Sequence, residues 1–390
     1  MISVAQALDA LFALVEPLDV EEVPLGQAHG RVLARSLFAQ RTQPPFSASA
    51  MDGYAVAGSS AAPGAVFTVI GESAAGHRFD GPVAAGQAVR IFTGAPLPAG
   101  TDHVVIQEDV IRAGDTISLH DDLDAGPYVR PAGADFAEGS PLNAPRLLGP
   151  NDIALLAAMN IAAVPVTRKP VVAIIATGDE LVQPGETPGP DQIIASNSHG
   201  LAALLAQHGA KTRLLPIARD NHDSLALAFD LARGADLIVT IGGASVGDHD
   251  LVGAAASAQG MDRVFYKVAM RPGKPLMAGR IGDAAMIGLP GNPVSAMVCG
   301  HVFLLPVLRA MLGLGTAPAP RAKAVLTGSL PTNGPREHYM RARVDGDQVT
   351  VFERQDSALL SVLAQANALA VRAPDDGPRL PGDRISVIAI

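Results

Sequence analysis

Hydrophobic positions along this chain change their spacing several times, and each change marks a different kind of element. After Ser3, the run Val4-Ala5-Gln6-Ala7-Leu8 and onward to Val15 is helical in character, with serine in the capping position and Pro17 as the stop. Between about residues 41 and 135 that character disappears. Short β-type runs at 66–70, 88–92 and 103–107 alternate with Gly/Pro turns, the pattern of a small β-rich domain. Leu148-Gly149-Pro150-Asn151-Asp152 then reads as a turn and helix start, followed by a short apolar helix over 153–159. The character of the N-terminus resumes there, so the β-rich segment reads as an insertion into a helical body.

From residue 169 strands alternate with helices. The runs 171–176 and 236–241 are nearly unbroken apolar β-type sequence, as expected of strands buried on both faces of a sheet. Helices are expected over 198–207 and 224–232, strands over 211–217, 263–269 and 284–287, and a long helix from Pro293 to about Leu312. Such alternation implies a doubly wound parallel sheet with right-handed crossovers. Beyond the linker Thr316-Ala317-Pro318-Ala319-Pro320, β-type runs at 322–326, 339–344, 348–352, 368–371 and 384–390 predict a small barrel or sandwich. The expected fold class is therefore α/β multidomain. Residues 1–40 with 136–168 form an N-terminal domain, 41–135 the β-rich insertion, 169–315 the βαβ domain and 321–390 a C-terminal β-domain.

Composition narrows the function. The 390 residues allow two to four domains. Aromatics are 4% and Trp is absent, so the cores are aliphatic. A net charge of −9 argues against a nucleic-acid partner, whose affinity rests on a basic face. The single cysteine, Cys299, lies in an apolar run and can neither staple the fold nor build a cysteine metal site. No basic segment followed by an apolar one opens the chain, and no uninterrupted apolar run approaches about 18 residues. The expectation is a cytoplasmic protein with no membrane partner.

Ligands of open parallel sheets sit beyond the carboxyl ends of the strands. Two loops fit that rule: Ala176-Thr177-Gly178-Asp179-Glu180, and Ile241-Gly242-Gly243-Ala244-Ser245-Val246-Gly247-Asp248-His249-Asp250. Adjacent glycines let backbone amides approach an anion, and Ser245 adds a hydroxyl donor. Carboxylates at the rim, Glu180 and Asp250, would repel a phosphate unless a hard cation intervened, which implies Mg²⁺. A third segment, Met270-Arg271-Pro272-Gly273-Lys274-Pro275, holds two cations between prolines and suits a tetrahedral oxyanion. Gly288-Leu289-Pro290-Gly291-Asn292-Pro293 opens the long helix and offers further amides. Each loop alone would be an ordinary tight turn; their occurrence in one sheet favours a site. In the insertion, Asp52 and Thr93 read by themselves as turn formers.

Taken together and in this order, Ser49-Ala50-Met51-Asp52-Gly53-Tyr54-Ala55-Val56, Thr93-Gly94-Ala95-Pro96, 177–181, 242–250, 271–275 and 288–295 resemble the molybdopterin molybdenumtransferases over essentially the whole chain. The resemblance implies an elongated homodimer of four-domain subunits sharing the site across the dimer. It implies an enzyme that takes adenylylated molybdopterin and molybdate, inserts the metal at the dithiolene and releases AMP with Mg²⁺, supplied by an upstream molybdopterin adenylyltransferase. It puts Glu180, Asp220 and Asp250 at the pterin–nucleotide and Mg²⁺ site, without choosing which carboxylate holds metal and which holds pterin; Glu180 and Asp220 are the metal candidates. Gly242, Gly243, Ser245, Pro290 and Pro293 fall in its substrate-binding motifs. Lys267, Arg271 and Lys274 match the basic positions for phosphate and molybdate. Ser357, and Arg336 or Arg341, match positions reaching the oxyanion. Asp52, Thr93 and Asp135 match the side contributed by the partner subunit. Three positions depart from the family: Arg271 stands where lysine is usual, Ala134 where an acidic residue precedes Asp135, and Asp356 where glycine precedes Ser357. A molybdopterin adenylyltransferase would share the βαβ domain but not the flanking β-domains. A non-catalytic scaffold would not need Asp52, Thr93, Glu180, Asp250 and Lys274.

Overall fold

The computed structural model describes residues 1–243 and 251–390. The chain forms two compact units, Met1–Glu21 with Gly30–Ala34 and Val166–Ile390, and Glu22–His29 with Arg35–Pro165. Helix α1 (Val4–Phe12) starts on a capping box in which Ser3 Oγ accepts from the Gln6 N–H and Gln6 Oε1 from the Ser3 N–H. Its spacing of three and four puts Val4, Ala7, Leu8 and Leu11 on one buried face. That face belongs to the core of the first unit.

In the second unit, β1 (Gly53–Val56), β2 (Val66–Ser73), β3 (Gln87–Ile91), β4 (His103–Ile106), β5 (Val110–Ala113) and β6 (Thr116–Leu119) form one six-stranded sheet ordered β4-β1-β3-β2-β6-β5. Tyr54, Val56, Phe67, Ala88, Val105, Ile117 and Leu119 fill its core. Helix α2 (Pro150–Ala158) also lies in this unit, its start fixed by the Asp152 carboxylate on the Gly149 N–H. Helix α1 lies in the first unit.

The first unit contains β7 (Val171–Ala176), α3 (Asn197–Gln207), β8 (Lys211–Leu214), α4 (His222–Ala232), β9 (Leu237–Ile241), α5 (Leu251–Ala258), β10 (Asp262–Tyr266), β11 (Met277–Ile281), β12 (Ala284–Leu289) and α6 (Pro293–Cys299). The sheet order is β8-β7-β9-β12-β11-β10. Successive residues of β7 and β9 serve opposite cores, Val172, Ile174, Leu237 and Val239 on one side and Ala173, Ile175 and Ile238 on the other. Each such valine, leucine or isoleucine contributes about 1.5–3 kcal/mol on burial. The first face is covered by α1, α3 and the helix beginning with α6, the second by α4 and α5. The helical run Pro293–Met311 is long and apolar enough to cross a membrane, yet 78% of it is buried inside the protein.

The sheet is mixed rather than wholly parallel. Strand β11, absent from the sequence reading, pairs antiparallel with β12 and β10. Only Gly282 and Asp283 separate β11 from β12, and a two-residue connection can join only antiparallel neighbours. At the amino end of the sheet, Asp236 takes a two-pronged contact from Arg168 at 2.8 and 2.6 Å and the Val171 N–H at 2.7 Å.

The C-terminal strands, β13 (Ala322–Leu326), β14 (Glu337–Asp345), β15 (Gln348–Val351), β16 (Ala368–Arg372) and β17 (Arg384–Ala389), pair around a closed ring β14-β15-β13-β17-β16-β14. Of the two expected forms, the C-terminal segment is the barrel.

Candidate functional site

Register sets the site's floor. Ala176, Ile241 and Leu289 are direct cross-strand neighbours at the carboxyl ends of β7, β9 and β12. Their loops therefore leave the sheet at one level and enclose a cavity of about 700 Å³. Gly242 has φ +95° and lies so close to the Thr177 carbonyl that a Cβ would stand 2.7 Å from its oxygen. Gly243, at φ +64°, leaves no room for a Cβ against Val252. Both positions require glycine for conformation and for space. Thr177 donates its N–H to the Ile241 carbonyl at 3.0 Å, and Asn197 Nδ2 donates to the Gly291 carbonyl at 2.7 Å, locking the floor together.

Gly242, Gly243, Glu180, Asp220, Pro290 and Pro293 all line this one cavity. The carboxylates of Glu180 and Asp220 make no hydrogen bond or ion pair among the described residues. Their loops are stapled by residues the sequence reading missed. Arg219 Nη1 donates to the carbonyls of Asp179 and Leu181 at 3.0 and 3.2 Å, and Asp179 Oδ1 accepts the Asp220 N–H at 3.2 Å. No local pattern signals this pairing, because its partners lie about 40 positions apart in the sequence. An all-oxygen pair of free carboxylates suits a hard cation. Ser245 and Asp250 lie outside the described residues.

The basic segment borders the barrel. The Lys267 N–H donates to the Leu276 carbonyl and the Val268 N–H to the Lys274 carbonyl, closing the loop between them. Gly273, at φ +108°, packs on Cys299, where a Cβ would come 2.7 Å from Sγ. Arg271 is in parallel register with His338 of β14, while Arg271 and Lys274 keep their side chains exposed. Arg336 Nη1 reaches the Met270 carbonyl at 3.4 Å.

Arg341 is wholly buried. Its Nη2 donates to the Asp356 carbonyl at 2.9 Å, but Nε and Nη1 have no partner among the described residues. Burial pulls its pKa below the ordinary value, with Asp356 opposing and Arg271 reinforcing the shift. Arg336 and Arg341 both bond loop carbonyls, and of the two Arg341 has buried donors without a partner among the described residues. Asp356 turns its carboxylate onto the Ala358 N–H at 2.8 Å. Ser357 sits at the start of α6, its carbonyl accepting the Val294 N–H at 3.0 Å, and Ala358 lines the cavity. His338, which the sequence reading passed over, is pushed down to about 4 by burial and by Arg271, Arg341, Arg372 and Arg336 around it.

In the other unit, Asp52 Oδ1 accepts both the N–H and the hydroxyl of Thr93, at 2.8 and 2.7 Å. These two bonds, aided by the nearby charge of Arg90, hold the Asp52 carboxyl below its ordinary range. Asp135 is not part of this pair. It is exposed in another turn of the same unit, its N–H on the Gln43 carbonyl at 3.1 Å, with Ala134 exposed beside it.

Comparison with known proteins agrees with this arrangement along the chain. Residues 2–160 match the MoeA N-terminal region (domain I and II), residues 173–310 a probable molybdopterin binding domain, and residues 323–390 the MoeA C-terminal region (domain IV). The chain is 36% identical to the molybdopterin molybdenumtransferase of Nostoc sp., over 95% of this chain and 90% of that protein. It is 37% identical to molybdopterin molybdenumtransferase 2 of Mycobacterium tuberculosis, over 91% of each. The crystal structure of the molybdopterin biosynthesis MoeA protein from Pyrococcus horikoshii OT3 superposes over 100% of both chains with a TM-score of 0.86 at 27% identity.

Proposed function

This chain belongs to the molybdopterin molybdenumtransferases, transferases of molybdenum cofactor biosynthesis, and on that premise we propose that it inserts molybdate into adenylylated molybdopterin and releases AMP. The observation that carries the reading is the pairing of two chemistries in one unit. A glycine-floored cavity has at its rim two carboxylates without a partner among the described residues, and a buried arginine with two nitrogens likewise unpartnered bonds the Asp356 carbonyl, two residues before Ala358 of the cavity lining.

The substrate's phosphates would lie against the amides of Gly242 and Gly243 and the loop at Pro290 and Pro293. Glu180 and Asp220 would hold Mg²⁺, which when bound neutralises charge on the phosphoanhydride. Lys267, Arg271 and Lys274 would gather the oxyanions, and Arg341 would hold molybdate from the barrel side. Arginine at 271 offers a planar fork where the family's lysine offers a point contact. A buried guanidinium with two unpaired N–H groups is costly unless an anion completes it, and a dianion of tetrahedral oxygens does so. Asp356 turns one carboxylate oxygen onto the Ala358 N–H, and its charge still acts on Arg341 beside the proposed oxyanion. The cleavage then rests on fixed charge and positioning rather than on a covalent intermediate.

We assign Asp52, Thr93 and Asp135 to a partner subunit's side of the site in a homodimer, Asp250 and Ser245 to the substrate loop, and Ser357 to the oxyanion side. A cytoplasmic location beside an upstream molybdopterin adenylyltransferase fits this place in the sequence of reactions. The test is AMP release from adenylylated molybdopterin with molybdate and Mg²⁺. Release dependent on both is expected; release no faster than without protein would overturn the proposal.

A further inference from the structure

The Asp52–Thr93 pair is itself held by Arg90, whose part goes beyond the charge it lends to Asp52. Arg90 lies on β3, in register opposite Tyr54 of β1. Its guanidinium lies against two rings, with the carbon centre 5.1 Å from the Tyr54 ring and 4.8 Å from the Phe92 ring. Nη1 donates to the carbonyl of Gly53, the residue after Asp52, at 3.1 Å, and Nη2 donates to Gln107 Oε1 at 2.7 Å. Gln107 in turn donates its N–H to the Asp52 carbonyl at 3.0 Å. Thus one planar fork grips the peptide on one side of the Asp52 turn directly and the other through Gln107. Phe92, stacked on the same fork, is the residue before Thr93.

We propose that Arg90 is a positioning residue for the molybdenum-transfer reaction, clamping the Asp52 turn to the Thr93 segment so that the carboxylate keeps a fixed direction. The inference rests on the assignment of Asp52 to the reaction. Asp52 spends Oδ1 on both Thr93 bonds, so its second oxygen is the one available to a ligand. An aliphatic residue at 90 could pack on the rings but could not bond two acceptors. Lysine could supply the charge but not the fork.

Full-length Arg90→Met and Arg90→Lys are compared with Asp52→Asn in the Mg²⁺-dependent AMP-release assay, each with a thermal melt. A loosened carboxylate costs turnover rather than binding, so in Arg90→Met kcat should fall about tenfold while KM stays within about twofold. Arg90→Lys should recover little of that loss, since the fork is still missing. An Arg90→Met protein with wild-type kcat, or one fully rescued by lysine, overturns the clamp. If Asp52→Asn is itself fully active, the assignment of Asp52 falls and the inference with it; an inactive Asp52→Asn beside a fully active Arg90→Met overturns the inference alone. Should Arg90→Met not melt cooperatively, Arg90→Gln carries the same comparison.

Discussion

Glu180 folds its carboxylate back over Gly178, into the space that a Cβ at 178 would take. Gly178 also holds φ +147°, a region that only glycine visits readily. Gly178→Ala should therefore lose about 1–3 kcal/mol of stability from backbone strain. It should also displace the Glu180 carboxylate and raise the Mg²⁺ concentration needed for half-maximal AMP release. A thermal melt and a Mg²⁺ titration check the two effects separately; an unchanged Mg²⁺ requirement would remove Glu180 from the metal's surroundings.

Arg341→Met should separate stability from binding. Burial of an incompletely bonded guanidinium costs free energy, and an apolar chain of similar length relieves it, so the variant should melt no lower than the parent. Molybdate affinity should nevertheless fall at least about tenfold, the loss of one charged hydrogen-bonding partner. Calorimetric titration with molybdate decides it, and equal affinity in the two proteins would move the oxyanion elsewhere.

Acid should destabilise this protein in two windows. His301 and His338 are both driven by burial from 6.5 to about 4. The unfolded chain binds the extra protons first, so their contribution is full above about pH 6.5 and is lost as pH falls towards 4. Asp236, Asp152 and Asp376 are held below 3.8: burial opposes the shift, and the hydrogen bonds of Arg168, of Arg146, and of Arg379 with Arg372 outweigh it. Their contribution is present above about pH 4 and disappears only below it. Denaturant melts of His301→Gln should show a flatter pH dependence between 6.5 and 4 than the parent, with the steep loss below 4 retained. An identical slope in the upper window would contradict the histidine's part.

Cys299 is fully buried, burial pushes its thiol pKa up, and Gly273 closes over the sulfur. It should resist thiol reagents in the native state and label only as fast as the protein unfolds. Rapid labelling under native conditions would show that the basic loop opens away from it.

The legible parts of this structure are those whose signal is local. β7 and β9 stand out because strands buried on both faces cannot afford polar interruptions, and the ligand loops stand out because positive φ demands glycine. Strand β11 was not legible: Gly279 and Arg280 break its β pattern. Gly279 is required because a Cβ would strike the Asp262 carbonyl where β10 bulges between Arg263 and Phe265. Arg219 and Arg90 were invisible for another reason. Each gets its role from acceptors on other segments, Asp179 and Leu181 for one and Gly53 and Gln107 for the other, which only the fold brings near. Likewise the capping box of α1 was readable in Ser3, but the unit whose core that helix would enter was not.

The level row of Ala176, Ile241 and Leu289 has an evolutionary consequence. Because the base of the pocket is built from strand ends and glycine, with Ala176 and Ile241 at its edge, the other side chains of those strands point into the protein's two interiors. Mutations in the interior positions of those strands answer to packing, while ligand preference changes mainly through the strand ends and the short loops above them. Divergence among relatives should therefore leave the shape of the pocket base almost constant long after the strands that build it have ceased to resemble one another in sequence.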